Sequence, residues 1–520
     1  MSAETRAPRR ERLTAVFVFL LLAACYAYVF PRWADPNQNS RLDMVVAVVN
    51  DGSFQIDPYV HNTVDYAKVG PHYYSDKAPG VALLGVPLYA GLSVILNQPG
   101  MNRLTDRLAN SAAFQATLRS DGSGVLGDKV RFALAQVVLT FVIVTLPAAF
   151  LGVLMYGLLA RFSPSPWIRL GVVLAYGLLT PVFAYAGAFY GHQLSAVLLF
   201  AAFYILFRQG PDLAARPLLA VGLLLGASVV TEYPSVMVVG ILFVYAAYRL
   251  RQQGHWGRIG WVMAAGGVVA LGWMTYNIKV FGGPLSLGYS NSELWLAQHE
   301  TGFMSLTWPH WAAIWGMTFG LFRGLFILSP VLLLSAPGFV LWWRSKEERA
   351  AWWMCLTSVL AFGWFNASSA MWWGGFAIGP RYLLPMLPFM ALPMVFVLRR
   401  WGQQIWLKLV FAALAVWSLI ATWGLTLANQ AFPPDTIQNP FANYAWPNWL
   451  AGNIARNWGT LLGLRGVASL APLVLITTIL TLCWWLASQR SARVVLSLPQ
   501  PTRLASSDAK PDGLPGTIVN

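Results

Sequence analysis

Apolar runs of about 20 residues recur along the chain from Leu13 to Leu486, separated by short polar segments. Such a run crosses the hydrocarbon core of a bilayer when it forms an α-helix. The first run covers Leu13 to Phe30, and the others are centred near residues 145, 177, 199, 223, 242, 269, 334, 359, 389, 417 and 477. The pattern predicts an all-α polytopic membrane protein with about twelve transmembrane helices.

Charged residues make up 11% of the 520 residues, against about 25% in a soluble domain. The net charge of +15 is expected of a multi-span protein that collects Lys and Arg on its cytoplasmic side, so it does not indicate a nucleic-acid partner. Cys25, Cys355 and Cys483 lie in apolar runs without the spacing of a disulfide framework or a zinc site. We predict a lipid bilayer as the surroundings and no cofactor, and leave a divalent metal open.

A further apolar segment, Val81 to Leu96, is marginal for crossing the bilayer at about 16 residues. If it lies in the outer interface, 21 of the 35 Lys and Arg residues and seven of the 20 acids fall on the cytoplasmic side. If it spans, every later loop changes sides and the basic loops face outward, against the positive-inside rule. We therefore predict an interfacial helix here, in a plasma (inner) membrane protein with both termini in the cytoplasm.

This topology leaves four segments on the outer face: residues 31–131, 281–323, 370–381 and 429–465. The first is the largest, and it mixes acids with aromatic and apolar residues, which favours a folded loop. Within it we predict a short amphipathic helix from Arg41 to Val49, and turns at residues 50–52 and 70–74. We predict one transmembrane domain over residues 1–489 and a disordered cytoplasmic tail over residues 490–520.

Two motifs place cations at the outer membrane surface. Lys77 precedes a Pro79-Gly80 turn, and Arg381 follows the Gly-rich stretch of residues 374–379, with Tyr382 after it. A fixed ammonium or guanidinium group suits an anionic headgroup, because burying such a charge costs energy unless an anion meets it. Alternatively, Lys77 anchors a helix end and Arg381 caps a short loop. Arg323 is a weaker third cation of this type.

Acids of the first outer loop are candidates for a general base. Asp43, Asp57 and Asp65 lie among apolar and aromatic residues, which raise the pKa of a carboxyl group. His61 lies one turn before Asp65 if that stretch is helical. The alternative is that these acids are simply solvated.

His192 and Glu232 lie at the ends of two spans that face the same side. Ionisable groups at this depth are candidates for function, with helix capping or packing as the alternative. We count both among the substrate-binding candidates, together with Arg41, which begins the predicted amphipathic helix.

A Lys-Pro-type motif that ends a large first outer loop, followed by an interfacial helix and many spans, resembles the GT-C superfamily of polyprenyl-phosphate-sugar-dependent glycosyltransferases. The pattern is similar to protein O-mannosyltransferases and to the transferase that adds aminoarabinose to lipid A. The resemblance covers the topology of nearly the whole chain, with specific motifs mainly in residues 37–80 and 372–388. It implies a membrane enzyme that moves a sugar from a polyprenyl-phosphate carrier to a glycan, lipid or protein acceptor on the outer face, with Lys77 and Arg381 at the carrier phosphate.

One departure concerns the general base, because such families place an acid soon after the first span, where this chain has residues 37–41, Asn-Gln-Asn-Ser-Arg. Asp43 lies four residues beyond Asn39 on the same predicted helical face, so we rank the candidate bases Asp43, Asp57, Asp65. The alternative function is a transporter or flippase that uses the same cations to bind a lipid-linked or anionic substrate. A third is a structural subunit of an envelope assembly.

Overall fold

The computed structural model describes residues 3–32, 35–110, 129–208, 213–294, 296–302 and 305–496. Within these ranges the regular structure is helical, apart from isolated bridges and one antiparallel hairpin of β1 (Tyr66–Val69) and β2 (His72–Ser75), and turns and loops join the elements. The predicted helical class is confirmed, and the hairpin is an addition: the predicted turn over residues 70–74 contracts to Gly70-Pro71 because His72 begins a strand. The last helix ends at Leu496, beyond the predicted boundary at residue 489. The rest of the predicted tail lies outside the described residues.

The α-helices of the described ranges are α1 (Ala3–Ala27), α2 (Pro36–Asn50), α3 (Gly80–Leu96), α4 (Pro99–Ala109), α5 (Lys129–Thr140), α6 (Leu146–Leu159), α7 (Pro166–Leu178), α8 (Val182–Tyr185), α9 (Gly191–Arg208), α10 (Ala215–Thr231), α11 (Val236–Gln252), α12 (Ile259–Phe281), α13 (Leu296–His299), α14 (Trp311–Thr318), α15 (Leu325–Leu328), α16 (Ser335–Ser345), α17 (Arg349–Ala367), α18 (Leu387–Ala391), α19 (Met394–Trp401), α20 (Ile405–Leu427), α21 (Trp446–Leu450), α22 (Trp458–Leu461) and α23 (Ala471–Leu496). Short 3₁₀ turns cover Val60–Asn62, Tyr233–Ser235, Trp256–Arg258, Gly288–Asn291, Pro330–Leu334, Arg381–Met386 and Gly466–Leu470. Single π turns cover Phe141–Thr145 and Phe441–Ala445.

Six described segments are long and apolar enough to cross a membrane: Val130–Leu159, Gly191–Arg208, Tyr233–Gln252, Trp256–Phe281, Ile405–Leu427 and Gly466–Gln489. The number rises to eight if each of two bent helix pairs is one span. Other predicted spans fall on helices that are shorter, such as α7 and α10 with 13 and 17 residues, or that are broken. The chain is a multi-pass helical membrane protein, and the count of twelve stays a prediction.

The segment predicted to be the first outer loop folds onto the spans. Its helix α2 is longer than the predicted Arg41–Val49, because Asp35 caps its N-terminus and Pro36 suits the first helical position. Every residue from Asn37 to Ala47 is buried, so the helix is enclosed rather than amphipathic, which corrects the prediction. Its apolar side chains form a core with α3, α5, Phe189 and Tyr276. The loop therefore has no separate core among the described residues.

The segment predicted as an interfacial helix forms α3, and α4 follows it at an angle of 92°. Its predicted position along the interface fits a helix that turns sharply after Leu96, and it stays a prediction. The predicted turn at Asn50-Asp51-Gly52 is present, with Gly52 at φ +65°. His61 lies in a 3₁₀ turn that ends at Asn62, so no helix joins it to Asp65.

Candidate functional site

A cavity of about 150 Å³ lies where the start of α2, the hairpin, the start of α9, the end of α10 and the loop before Arg381 meet. Seven of the ten candidate residues line it: Arg41, Asp65, Lys77, His192, Glu232, Arg381 and Tyr382. These side chains come from segments up to 341 positions apart, so the fold has collected the ionisable residues of separate motifs in one place.

Lys77 lies between two carboxylates at one side of the cavity. Its Nζ is 3.1 Å from Asp65 Oδ2 and 3.1 Å from Asp76 Oδ1, and Ser292 Oγ donates to Asp76 Oδ2 at 3.1 Å. Burial lowers the pKa of Lys77, but Asp65 and Asp76 raise that pKa by more, so the ammonium stays protonated. An ammonium has three N–H donors, and one to each carboxylate leaves one for a ligand.

Arg381 lies between two tyrosines, with its guanidinium carbon 5.3 Å from the ring centres of both Tyr190 and Tyr382. Its Nη1 donates to Tyr190 Oη at 3.3 Å, whereas its buried Nε has no hydrogen-bond partner among the described residues. Gly374, at φ +72°, lies beside the guanidinium, and a Cβ at this position would lie 3.0 Å from Arg381 Nε. Because glycine has no Cβ, this position does not crowd the guanidinium.

Arg41 is only 2% exposed and comes from the second turn of α2. Its Nη1 donates to the backbone oxygen of Asn37 at 3.0 Å and to the Asn37 side chain. Its Nε has no partner in the part of the chain that the structure describes. A second guanidinium therefore lines the same cavity, with one N–H donor unpaired among the described residues.

His192 and Glu232 form a buried pair from the first turn of α9 and the residue after α10. Nδ1 of His192 is 3.0 Å from Glu232 Oε2, and the two residues are 3% and 5% exposed. The other ring nitrogen, Nε2, has no hydrogen-bond partner within the described ranges. The edge of Tyr382 packs against the imidazole, with ring centres 5.4 Å apart.

Asp35 also lines the cavity, and the sequence-based ranking did not include it. Its Oδ1 accepts from the backbone N–H groups of Asn37 and Gln38 at 3.0 and 3.2 Å, and Tyr190 Oη donates to its Oδ2 at 2.7 Å. Burial raises the pKa of Asp35, and the hydrogen bond from Tyr190 opposes that rise. The Asp-Pro pair directly after the first span was the available signal, because it marks the start of a helix.

Three candidates lie outside the cavity lining. Asp43 Oδ1 accepts from Asn62 Nδ2 at 3.0 Å, and burial raises the pKa of Asp43 well above its usual value. Asp57 accepts from Tyr73 N at 2.7 Å, and its Oδ2 lies 2.7 Å from His72 Nδ1, so it holds the hairpin. Arg323 donates to the backbone oxygens of Trp373, Gly375 and Pro433, and it supports the Gly-rich turn from behind.

No group of three or more His, Cys, Asp or Glu side chains in the described ranges is arranged to hold a metal ion.

The chain is similar to two crystal structures of ArnT from Cupriavidus metallidurans, a lipid A aminoarabinose transferase and GT-C enzyme, which is the kind of protein that the sequence pattern resembles. The structure bound to undecaprenyl phosphate has a TM-score of 0.42 and 14% identity, over 80% of this chain and 70% of that chain. The apo structure has a TM-score of 0.42 and 15% identity, over 79% and 64%. No protein-family model and no curated protein matches the sequence.

Proposed function

We propose that the protein is a membrane glycosyltransferase that moves a sugar from a polyprenyl-phosphate carrier to an acceptor on the outer face. The observation that carries the proposal is one buried cavity lined by three cations, Arg41, Lys77 and Arg381, and by the carboxylate of Asp65. Cations with unused donors suit a phosphate, and a carboxylate beside them suits the proton of an acceptor hydroxyl.

The phosphate of the carrier lies among the cations in this proposal. Arg41 and Arg381 each offer an Nε–H with no partner among the described residues, and Lys77 offers its third N–H. Buried cations without a full set of partners are costly, so a ligand with several anionic oxygens stabilises them. Arg323 supports this arrangement indirectly through the backbone of the Gly-rich turn.

Asp65 is the proposed general base, because it alone of the three ranked acids lines the cavity. It takes the proton of the acceptor hydroxyl while the acceptor oxygen forms a bond to the anomeric carbon of the sugar. The bond from that carbon to the phosphate oxygen breaks, and its electron pair leaves with the phosphate. Attack from the side opposite the phosphate inverts the configuration, and the cations stabilise the charge that develops on the leaving group.

We also propose that the chain crosses the plasma membrane twelve times with both termini in the cytoplasm, so that the cavity opens on the outer face. The positive-inside distribution of Lys and Arg supports this arrangement. Catalysis on that face requires a lipid-linked donor, which reaches the site within the bilayer.

The test incubates the purified chain in detergent with a panel of undecaprenyl-phosphate sugars and a mixed acceptor fraction from the cell envelope. We expect release of undecaprenyl phosphate, together with loss of donor affinity by about 1.5 to 3 kcal/mol in Lys77→Met and Arg381→Met. Arg208→Met is a control on a distant helix end, and it should behave like the wild type. Donor binding without turnover would instead support the carrier or flippase, and unchanged affinity in both cavity variants would place the phosphate elsewhere.

A further inference from the structure

The pair of His192 and Glu232 offers the cavity a group that the proposed transfer has not yet used. The pair is buried, its Nδ1–Oε2 distance is 3.0 Å, and the ring lies at the cavity wall with Nε2 unpartnered among the described residues. A buried ring nitrogen without a partner costs free energy unless a ligand or water meets it.

The charges around the ring decide which ligand fits. The cations Arg41 and Arg381 line the same cavity, and each has an Nε donor without a partner in the described ranges. His192 Nε2 is thus the third unsatisfied nitrogen on residues that line this cavity, and the three residues come from α2, α9 and the turn that begins at Arg381. Two guanidinium groups and an imidazole around one cavity suit a phosphate monoester better than the neutral hydroxyls of a sugar ring.

We propose that His192 binds the phosphate of the leaving carrier through Nε2, with Glu232 as the positioning residue, whose carboxylate oxygen Oε2 lies at ion-pair distance from Nδ1. This inference rests on the proposed function and adds to it a contact for the charge that appears when the sugar leaves. Both ring nitrogens donate only in the imidazolium form. An imidazolium between Glu232 and a phosphate is therefore paired on both sides.

The contact between His192 and the phosphate should be stronger after the sugar has been transferred than before. In the donor the phosphate is a diester with a single charge, whereas the released monoester carries up to two charges. An interaction that strengthens as the glycosidic bond breaks lowers the barrier, whereas equal binding of both states does not. His192 should therefore affect affinity for undecaprenyl phosphate more than affinity for the sugar-linked donor.

Two substitutions separate ligand binding from a merely structural role. The amide nitrogen of Gln extends as far as Nε2, whereas the amide of Asn extends only as far as Nδ1. We measure binding of undecaprenyl phosphate to the full chain in detergent, with thermal unfolding as the check on folding. His192→Asn should weaken binding roughly ten- to hundredfold, and His192→Gln should retain most of it. Glu232→Gln should weaken binding in the wild type but have little further effect in the His192→Asn background, because it acts through the ring.

The outcomes are distinguishable. If the wild type does not bind undecaprenyl phosphate, the proposed function fails together with this inference. If the wild type binds and both His192 variants bind equally well, only the inference fails. If Asn retains binding and Gln loses it, His192 serves to hold Glu232 and does not contact the phosphate, which also overturns the inference.

Discussion

Asp65 differs from the other two ranked acids of the first loop, Asp43 and Asp57, in what surrounds it. It lines the cavity beside Lys77, whereas Asp57 holds the hairpin at a partly exposed position. We predict that Asp65→Asn lowers the transfer rate by about 10² to 10⁴ while donor binding persists, because the amide keeps the shape and cannot take the proton. Single-turnover assays measure this.

Asp57→Asn is the matched control, since it makes the same change in the same loop. We expect it to retain transfer and to lose some thermal stability. Equal transfer rates in the two variants would contradict the role of Asp65, and the next candidate to substitute is Asp35, which also lines the cavity.

Asp43 provides a prediction about pH. Burial raises its pKa, and its Oδ2 has no partner among the described residues. Because the pKa is higher in the folded chain than in the unfolded one, the folded chain binds more protons between the two values, and stability falls as pH rises through that window. Asp43→Asn should therefore retain activity and raise the unfolding temperature in detergent more at pH 8 than at pH 5. Loss of transfer in this variant would return Asp43 to the position of general base.

Three helices meet at the end of α10 because two glycines permit close contact. A Cβ on Gly191, at the start of α9, would collide with the backbone oxygen of Thr231 and would lie 2.7 Å from Glu232 Oε2. A Cβ on Gly80, at the start of α3, would lie 2.7 to 2.8 Å from atoms of Thr231. This wall of the cavity therefore depends on direct backbone contact between the starts of α3 and α9 and the end of α10.

We predict that Gly191→Ala destabilises the protein by roughly 1 to 3 kcal/mol, the cost of overpacking, and displaces Glu232 so that activity falls as well. Gly272→Ala in α12 is the control, because a Cβ there meets nothing within 4 Å. Thermal unfolding and transfer assays of the two variants test this. Similar behaviour of the two would show that the junction adjusts without cost.

At the scale of the whole molecule, the proposed twelve-span topology can be tested by cysteine labelling. Cys25 and Cys355 are buried and Cys483 is exposed, so a Cys483→Ser background is suited to labelling. In intact cells a membrane-impermeant maleimide should label Asn443→Cys and spare Arg251→Cys and Arg344→Cys until the membrane is permeabilised. All three positions are exposed on the protein. Outward labelling at Arg251 or Arg344 would overturn the twelve-span arrangement.

Hydropathy predicted where helices occur better than where they end. The run near residue 417 became the single helix α20, but the run near residue 334 became three short segments because Pro330 and its neighbours interrupt the helix. The mean hydropathy of a window of residues reflects the free energy of transferring that segment into the bilayer. It depends on the composition of the window and does not detect a break in the helix. This is why, in the part of the chain that the structure describes, six to eight segments are long and apolar enough to cross a membrane, where twelve spans were predicted.

The sequence by itself was enough to predict the helical membrane class and a folded first loop. It also indicated seven of the residues that line the cavity. These features could be predicted because apolar runs, turns and isolated charges are local properties of the chain. Tertiary structure decided which acid faces the cavity. Both Asp43 and Asp65 are buried, but α2 is held by contacts such as Phe189 N donating to Gln38 Oε1 at 2.8 Å, across 151 positions, and these set the direction of each side chain. A hydrogen bond between such distant residues leaves no periodic trace along the chain, so only the folded structure could separate Asp65 from Asp43 and add Asp35.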